Sequence, residues 1–130
     1  MSQRPTSPHL SIYRKQITTV LSILHRMTGL ALVAGTALMV AWLCTAAYRP
    51  AFYTTLHEAL ISDYGKACLM GWTVAFYYHF ANGIRHLFWD MGKGFSLPAA
   101  TRSGWLVIFF TIIMTAVTWG YVNAMAGVAV

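Results

Sequence analysis

The sequence predicts an all-α integral membrane protein, a three-helix bundle with its N-terminus inside and its C-terminus outside. Of 130 residues, 58% are hydrophobic and only 9% are charged, a balance that soluble domains do not carry. Three apolar runs, at about 19–47, 68–88 and 105–126, each suffice to cross a hydrocarbon core, which takes ~20 residues at about 1.5 Å per residue. None alternates as a barrel strand does. The basic residues supply the third observation, because they gather near the span ends of one side.

Taken in order, residues 1–18 form a polar cytoplasmic segment. They contain Pro5 and Pro8, no compact apolar stretch and no small-residue cleavage site, so they read as neither a secretory signal nor a transit sequence. The expectation is a multi-pass protein of the bacterial inner membrane. The first span, 19–47, follows Arg14 and Lys15 and runs to the breaker Tyr48-Arg49-Pro50. Residues 48–65 read as a connector ending at Tyr64-Gly65, and the second span occupies 68–88. Residues 90–104, with Gly92, Gly94, Pro98 and Gly104, read as the second connector, and 105–126 is the third span. There is no internal repeat, and 1–130 reads as a single membrane-anchor domain.

Lys and Arg are retained on the cytoplasmic side, while acids count for little. Arg4, Arg14 and Lys15 precede the first span, and Lys93 and Arg102 lie in the second connector, which three spans put on the same side. The first connector has only Arg49 and Lys66. The net charge of +6 is therefore a topology signal, with the lipid bilayer as partner and no nucleic acid. Cys44 and Cys68 both fall near the outer ends of their spans, so a disulfide is conceivable there and two apolar thiols are the plainer reading. No C-x-x-C-H occurs, so any haem is held without covalent attachment.

The chemistry sits in two polar islands inside the apolar runs, and ionisable residues at bilayer depth mark function by default. On the second span, stepping by turns from Trp72 gives Phe76, His79, Gly83, His86 and Asp90, which places two imidazoles on one face two turns apart. A neutral imidazole is a preferred axial ligand of haem iron, and His79, the deeper of the two, is the better candidate. Gly83 removes a side chain that would crowd a flat macrocycle. Arg85 and His86, nearer the inner end, are placed to meet anionic propionates. The plainer readings are an interhelical hydrogen bond for His79, a packing notch for Gly83, and snorkelling toward the headgroups for Arg85, His86 and Asp90.

On the first span, Ser22, Arg26 and Gly29 share a face and His25 flanks it. Arg26 lies ~12 Å into the membrane if the span enters near Thr18. A hydroxyl, a guanidinium and an imidazole facing a bundle interior suit a carbonyl-bearing ligand such as a quinone, gripped by donors and flanked by apolar surface. An arginine snorkelling inward from the span is the alternative.

Three stretches occur in order on matching segments: Arg4-Pro-Thr-Ser-Pro-His9-Leu-Ser-Ile-Tyr13, Ser22-Ile-Leu-His25-Arg26-Met-Thr-Gly29, and His79-x-x-x-Gly83-Ile-Arg85-His86-Leu-x-x-Asp90. Together they resemble the signature of the cytochrome b556 subunits of succinate dehydrogenases, and the resemblance extends over the whole chain. It implies the larger half of a heterodimeric anchor of respiratory complex II, a non-catalytic subunit of an enzyme of the tricarboxylic acid cycle and aerobic electron transport. It implies one haem b, with His79 matching the axial ligand and the opposite ligand supplied by the small membrane-anchor subunit. Ser22 and Arg26 match quinone-site residues, while His25, Arg26 and His86 fall around the haem propionates, with Arg85 in the same neighbourhood. A flavoprotein subunit would oxidise succinate and an iron–sulfur subunit would relay electrons to the quinone; segment 4–13 would rest against the latter.

Two other classes compete. A self-contained bis-histidine cytochrome b would pair His79 with His25, whose depths differ by only ~5 Å. A haem-free membrane anchor or transporter subunit would use the same arginines and histidines to line a substrate path or to pair with a partner helix.

Overall fold

The computed structural model describes residues 16–128, and every described regular element is helical. Four helices follow in order: α1 (Ile17–Tyr48), α2 (Pro50–Ile61), α3 (Asp63–Asp90) and α4 (Leu97–Val128). The segment 4–13, expected to rest against an iron–sulfur subunit, lies outside the described residues.

Helix boundaries follow from local chemistry. Pro50 disfavours a helical conformation at the residue before it, and Arg49 is non-helical at φ −142° and ψ 71°. The same proline then opens α2, since its missing N–H costs nothing in a first turn. Ser62 caps α3 by accepting a hydrogen bond from the Gly65 amide at 3.1 Å. A side chain at Gly65 would collide with the α2 backbone at Ala59 and Leu60, so the corner requires glycine. At the other end of α3, the Gly92 amide donates to Trp89 O (2.8 Å) and the Lys93 amide to Phe88 O (3.0 Å). This is a Schellman closure, with Gly92 at φ +74°.

Two stretches expected as connectors are helical. Residues 50–61 form α2, which lies against α1 and α3, and α4 begins at Leu97 rather than near 105. Both corrections have one cause: Pro50 and Pro98 fall in first turns, where proline starts a helix instead of breaking it. The cysteines are free and exposed.

Each of the three long helices touches the other two. Their meeting point is Leu21 of α1, Tyr78 of α3 and Val107 of α4, flanked by Ile17, Ala81 and Ile108. The Tyr78 hydroxyl donates to Leu21 O at 2.7 Å, and a Cβ at Gly104 would come within 2.7 Å of Leu21 Cδ1. In lipid, close approach at small residues and interhelical hydrogen bonds hold helices together, because apolar burial supplies little. Further along α3 and α4, Tyr77 and Thr118 hydroxyls are bonded at 2.8 Å and Trp119 Nε1 donates to Thr73 Oγ1 at 3.4 Å.

Two helices, Ile17–Tyr48 and Leu97–Gly127, are long and apolar enough to cross a membrane. The α3 helix has spanning length at 28 residues, but Tyr77, Tyr78, His79 and Asn82 dilute its middle. Those residues face its neighbours and build the site.

Candidate functional site

The site grows from the i, i+7 spacing of His79 and His86 on α3 and from His25 on α1. The His25 ring enters between the other two. Its centroid lies 3.9 Å from that of His79, with planes 11° apart, and 4.8 Å from that of His86, with planes 16° apart. Three half-buried imidazoles thus form one column.

Glycines on both helices make the column possible. Gly29 of α1 lies under His79, where a Cβ would sit 3.1 Å from Cε1. Gly83 of α3 lies under His25, where a Cβ would sit 4.0 Å from its Cε1. Each helix therefore offers a notch to the other's histidine. The clearance expected at Gly83 for a flat group is used by the His25 ring. One stage further along, Trp72 rests on Gly35 in closer contact still.

Hydrogen bonds fix which ring nitrogen carries the proton. A carbonyl oxygen only accepts, so His79 Nδ1–H donates to His25 O at 3.1 Å, with Thr28 Oγ1 at 3.3 Å. That leaves the His79 Nε2 lone pair free in the ring plane. In the same way His86 Nδ1–H donates to Asn82 O at 2.7 Å. His25 Nδ1 is buried without a hydrogen-bond partner among the described residues. Among the described residues no group of three His, Cys, Asp or Glu is placed to hold a metal by protein donors alone. The donor set suits a metal that brings most of its own ligands and takes one imidazole.

The stacking also bears on internal ligation by His25 and His79. Iron is bound in the plane of an imidazole, and two ligands must approach it from opposite sides. Rings lying parallel, face on face, at 3.9 Å do not converge on one metal.

Ser22 and Arg26 lie two turns and one turn before Gly29 on its face of α1; Ser22 is half-buried and Arg26 exposed. Arg85 goes elsewhere. It is 5% exposed, and it donates from Nε to Ser103 Oγ (2.9 Å), from Nη1 to Asn82 Oδ1 (3.3 Å) and from Nη2 to Ala100 O (3.0 Å). Its guanidinium also lies 4.0 Å over the Trp89 ring. None of its bonded groups belongs to the column. Within the chain Arg85 is a clamp from α3 to α4.

Residues 1–118 match the family described as the succinate dehydrogenase/fumarate reductase transmembrane subunit. The chain belongs to that family. The succinate dehydrogenase cytochrome b556 subunit of Rickettsia felis is 45% identical over 118 residues, covering 91% of this chain and 92% of that protein. The corresponding subunit of Paracoccus denitrificans is 36% identical over 115 residues, covering 88% of each. The mitochondrial cytochrome b560 subunit of Sus scrofa is 38% identical over 118 residues, covering 86% of this chain and 68% of that protein.

As a transmembrane subunit of this family, the chain has a reason for its surface. Leu30 is 75% exposed and Val33 68%, and apolar area of this extent belongs in lipid or against a partner. Sequence reasoning singled out every histidine of the column. It missed Thr28, Asn82, Trp89 and Ser103. Asn82, at 0% exposure, was the legible one, because an amide one turn before an intramembrane arginine is a natural partner for it. Ser103 was not, since nothing local relates α4 to α3.

Proposed function

We propose that the chain is the cytochrome b membrane anchor of a succinate dehydrogenase, spanning the bacterial inner membrane three times with its N-terminus inside. It holds one haem b through His79, shares that haem with a small anchor subunit, and helps form the site where a quinone receives electrons from an iron–sulfur subunit. The flavoprotein subunit oxidises succinate, and this chain has no activity alone. The single observation that carries the reading is the oriented His79: Nδ1 is tied to the α1 backbone and Nε2 is left as a ligand. The whole chain, 1–130, then acts as one anchor domain.

Charge supports the orientation. Lys93 and Arg102 lie at the end that holds the start of α1, which Arg4, Arg14 and Lys15 precede in the sequence, whereas the other end has only Arg49 and Lys66. With 32 residues, α1 rises roughly 48 Å, more than the ~30 Å hydrocarbon core, so α1 tilts or its ends reach the headgroups.

Bound haem supplies a one-electron redox centre whose potential depends on its ligands and burial. The chain's residues do the rest. His79 would hold the iron through Nε2. His25, backed by His86, steadies that ring, and His25, His86 and Arg26 would meet the propionates. Ser22 and Arg26 orient the quinone and stabilise negative charge arising on its oxygens, as preorganised donors do. The rings of the column stack through their faces, so their N–H groups do not point at one another, and the column orients rather than relays protons.

In the complex purified from membranes, dithionite should develop a reduced b-type band. His79→Ala should remove the haem, whereas His25→Ala should leave low-spin bis-histidine haem in place. Absence of the band sinks the cytochrome reading, and loss of the low-spin signal in His25→Ala restores internal ligation. Ser22→Ala and Arg26→Leu should each slow quinone reduction, by about 10²-fold if they act as charge-stabilising donors, while succinate oxidation by a soluble dye acceptor continues.

A further inference from the structure

We infer that Thr28 and Gly29 of α1 are positioning residues for the haem ligand, setting the electron richness and seat of His79; this rests on His79 being the axial ligand. The argument starts from proton counting. The Thr28 hydroxyl has one proton, and its shortest acceptor is Leu24 O at 2.8 Å, with His25 O at 3.0 Å. Donation to Leu24 O turns an oxygen lone pair toward His79 Nδ1, 3.3 Å away. The imidazole N–H then has two acceptors, the Thr28 hydroxyl and the carbonyl of His25 at 3.1 Å. Both belong to one turn of α1.

That turn comes close enough only because Gly29 has no side chain. A Cβ there would stand 3.1 Å from His79 Cε1 and 3.6 Å from Nδ1. The ring would have to yield by a few tenths of an ångström, and the shared hydrogen bond would lengthen with it. Glycine thus controls the reach and threonine supplies the second acceptor.

The consequence is electronic. Hydrogen bonding from the outer nitrogen of a ligating imidazole makes the inner nitrogen more basic, and a more basic ligand favours ferric over ferrous iron. Weakening either acceptor should therefore raise the haem midpoint potential.

The test uses the complex purified from membranes, with redox titration of the haem, electron paramagnetic resonance of the ferric form and the haem-to-flavin ratio as readouts. Thr28→Val should retain haem and raise the potential, and Thr28→Ser should restore the parental value. Gly29→Ala should raise the potential further and shift the low-spin signal. If Gly29→Ala blocks assembly, the Thr28→Val and Thr28→Ser pair decides alone. Parental potential and signal in Thr28→Val, with His79→Ala losing haem, overturns this inference and leaves the ligand assignment standing. A parental spectrum in His79→Ala overturns both.

Discussion

Arg85 carries a charge into the interior and meets only neutral partners there, Asn82, Ala100 and Ser103, under the face of Trp89. Removing the guanidinium strands the Asn82 amide and leaves the Ser103 hydroxyl only its bond to Ala100 O at 3.1 Å. Interhelical hydrogen bonds in membranes are worth about 0.6–1.7 kcal/mol each, so Arg85→Met should destabilise the α3–α4 contact by about 1–3 kcal/mol. Detergent or thermal denaturation of the complex would measure it, with the haem potential unmoved; a shifted potential would return Arg85 to the cofactor. At this scale the sequence was informative about rows and silent about partners. The 3.6-residue period puts His79, Gly83 and His86 on one face, which needs no knowledge of other helices. That His25 inserts over Gly83, or that Arg85 turns to α4, depends on interhelical register, which no local pattern encodes.

Among the elements, the long apolar stretches were legible because composition alone marks them, and their ends were not. Proline was read as punctuation at Pro50 and Pro98, whereas its fixed φ and missing N–H suit a first turn. The contacts between elements depend on small residues, and two of them differ in kind. At Gly35 an added methyl would meet the rigid Trp72 indole, while at Gly104 it would meet the flexible tip of Leu21. Gly35→Ala should therefore cost about 1–3 kcal/mol, the usual range for overpacking, and Gly104→Ala clearly less. Parallel unfolding titrations in detergent would rank them, and equal losses would contradict the argument from rigidity.

For the molecule as a whole, topology gives the sharpest expectation. A cysteine introduced by Ser96→Cys, in a background lacking Cys44 and Cys68, should react with a membrane-impermeant maleimide only in inside-out vesicles. One introduced by Ala59→Cys should react only in right-side-out vesicles; labelling of both in the same vesicles would refute three crossings. The distribution of the interior has a mechanical consequence. Among the described residues, α1 is buried only at Leu21, and α4 at no position beyond Thr111, so burial gathers at one end, while toward the other the helices are tied by Tyr77 to Thr118, Trp119 to Thr73 and Trp72 against Gly35. Beyond Trp119, the last of these ties, α4 continues to Val128 for roughly 14 Å. Single polar bonds and one glycine notch, rather than buried surface, hold that end, so lateral pressure or thickness changes in the far leaflet load Thr73, Tyr77, Thr118 and Trp119 before they reach the imidazole rings.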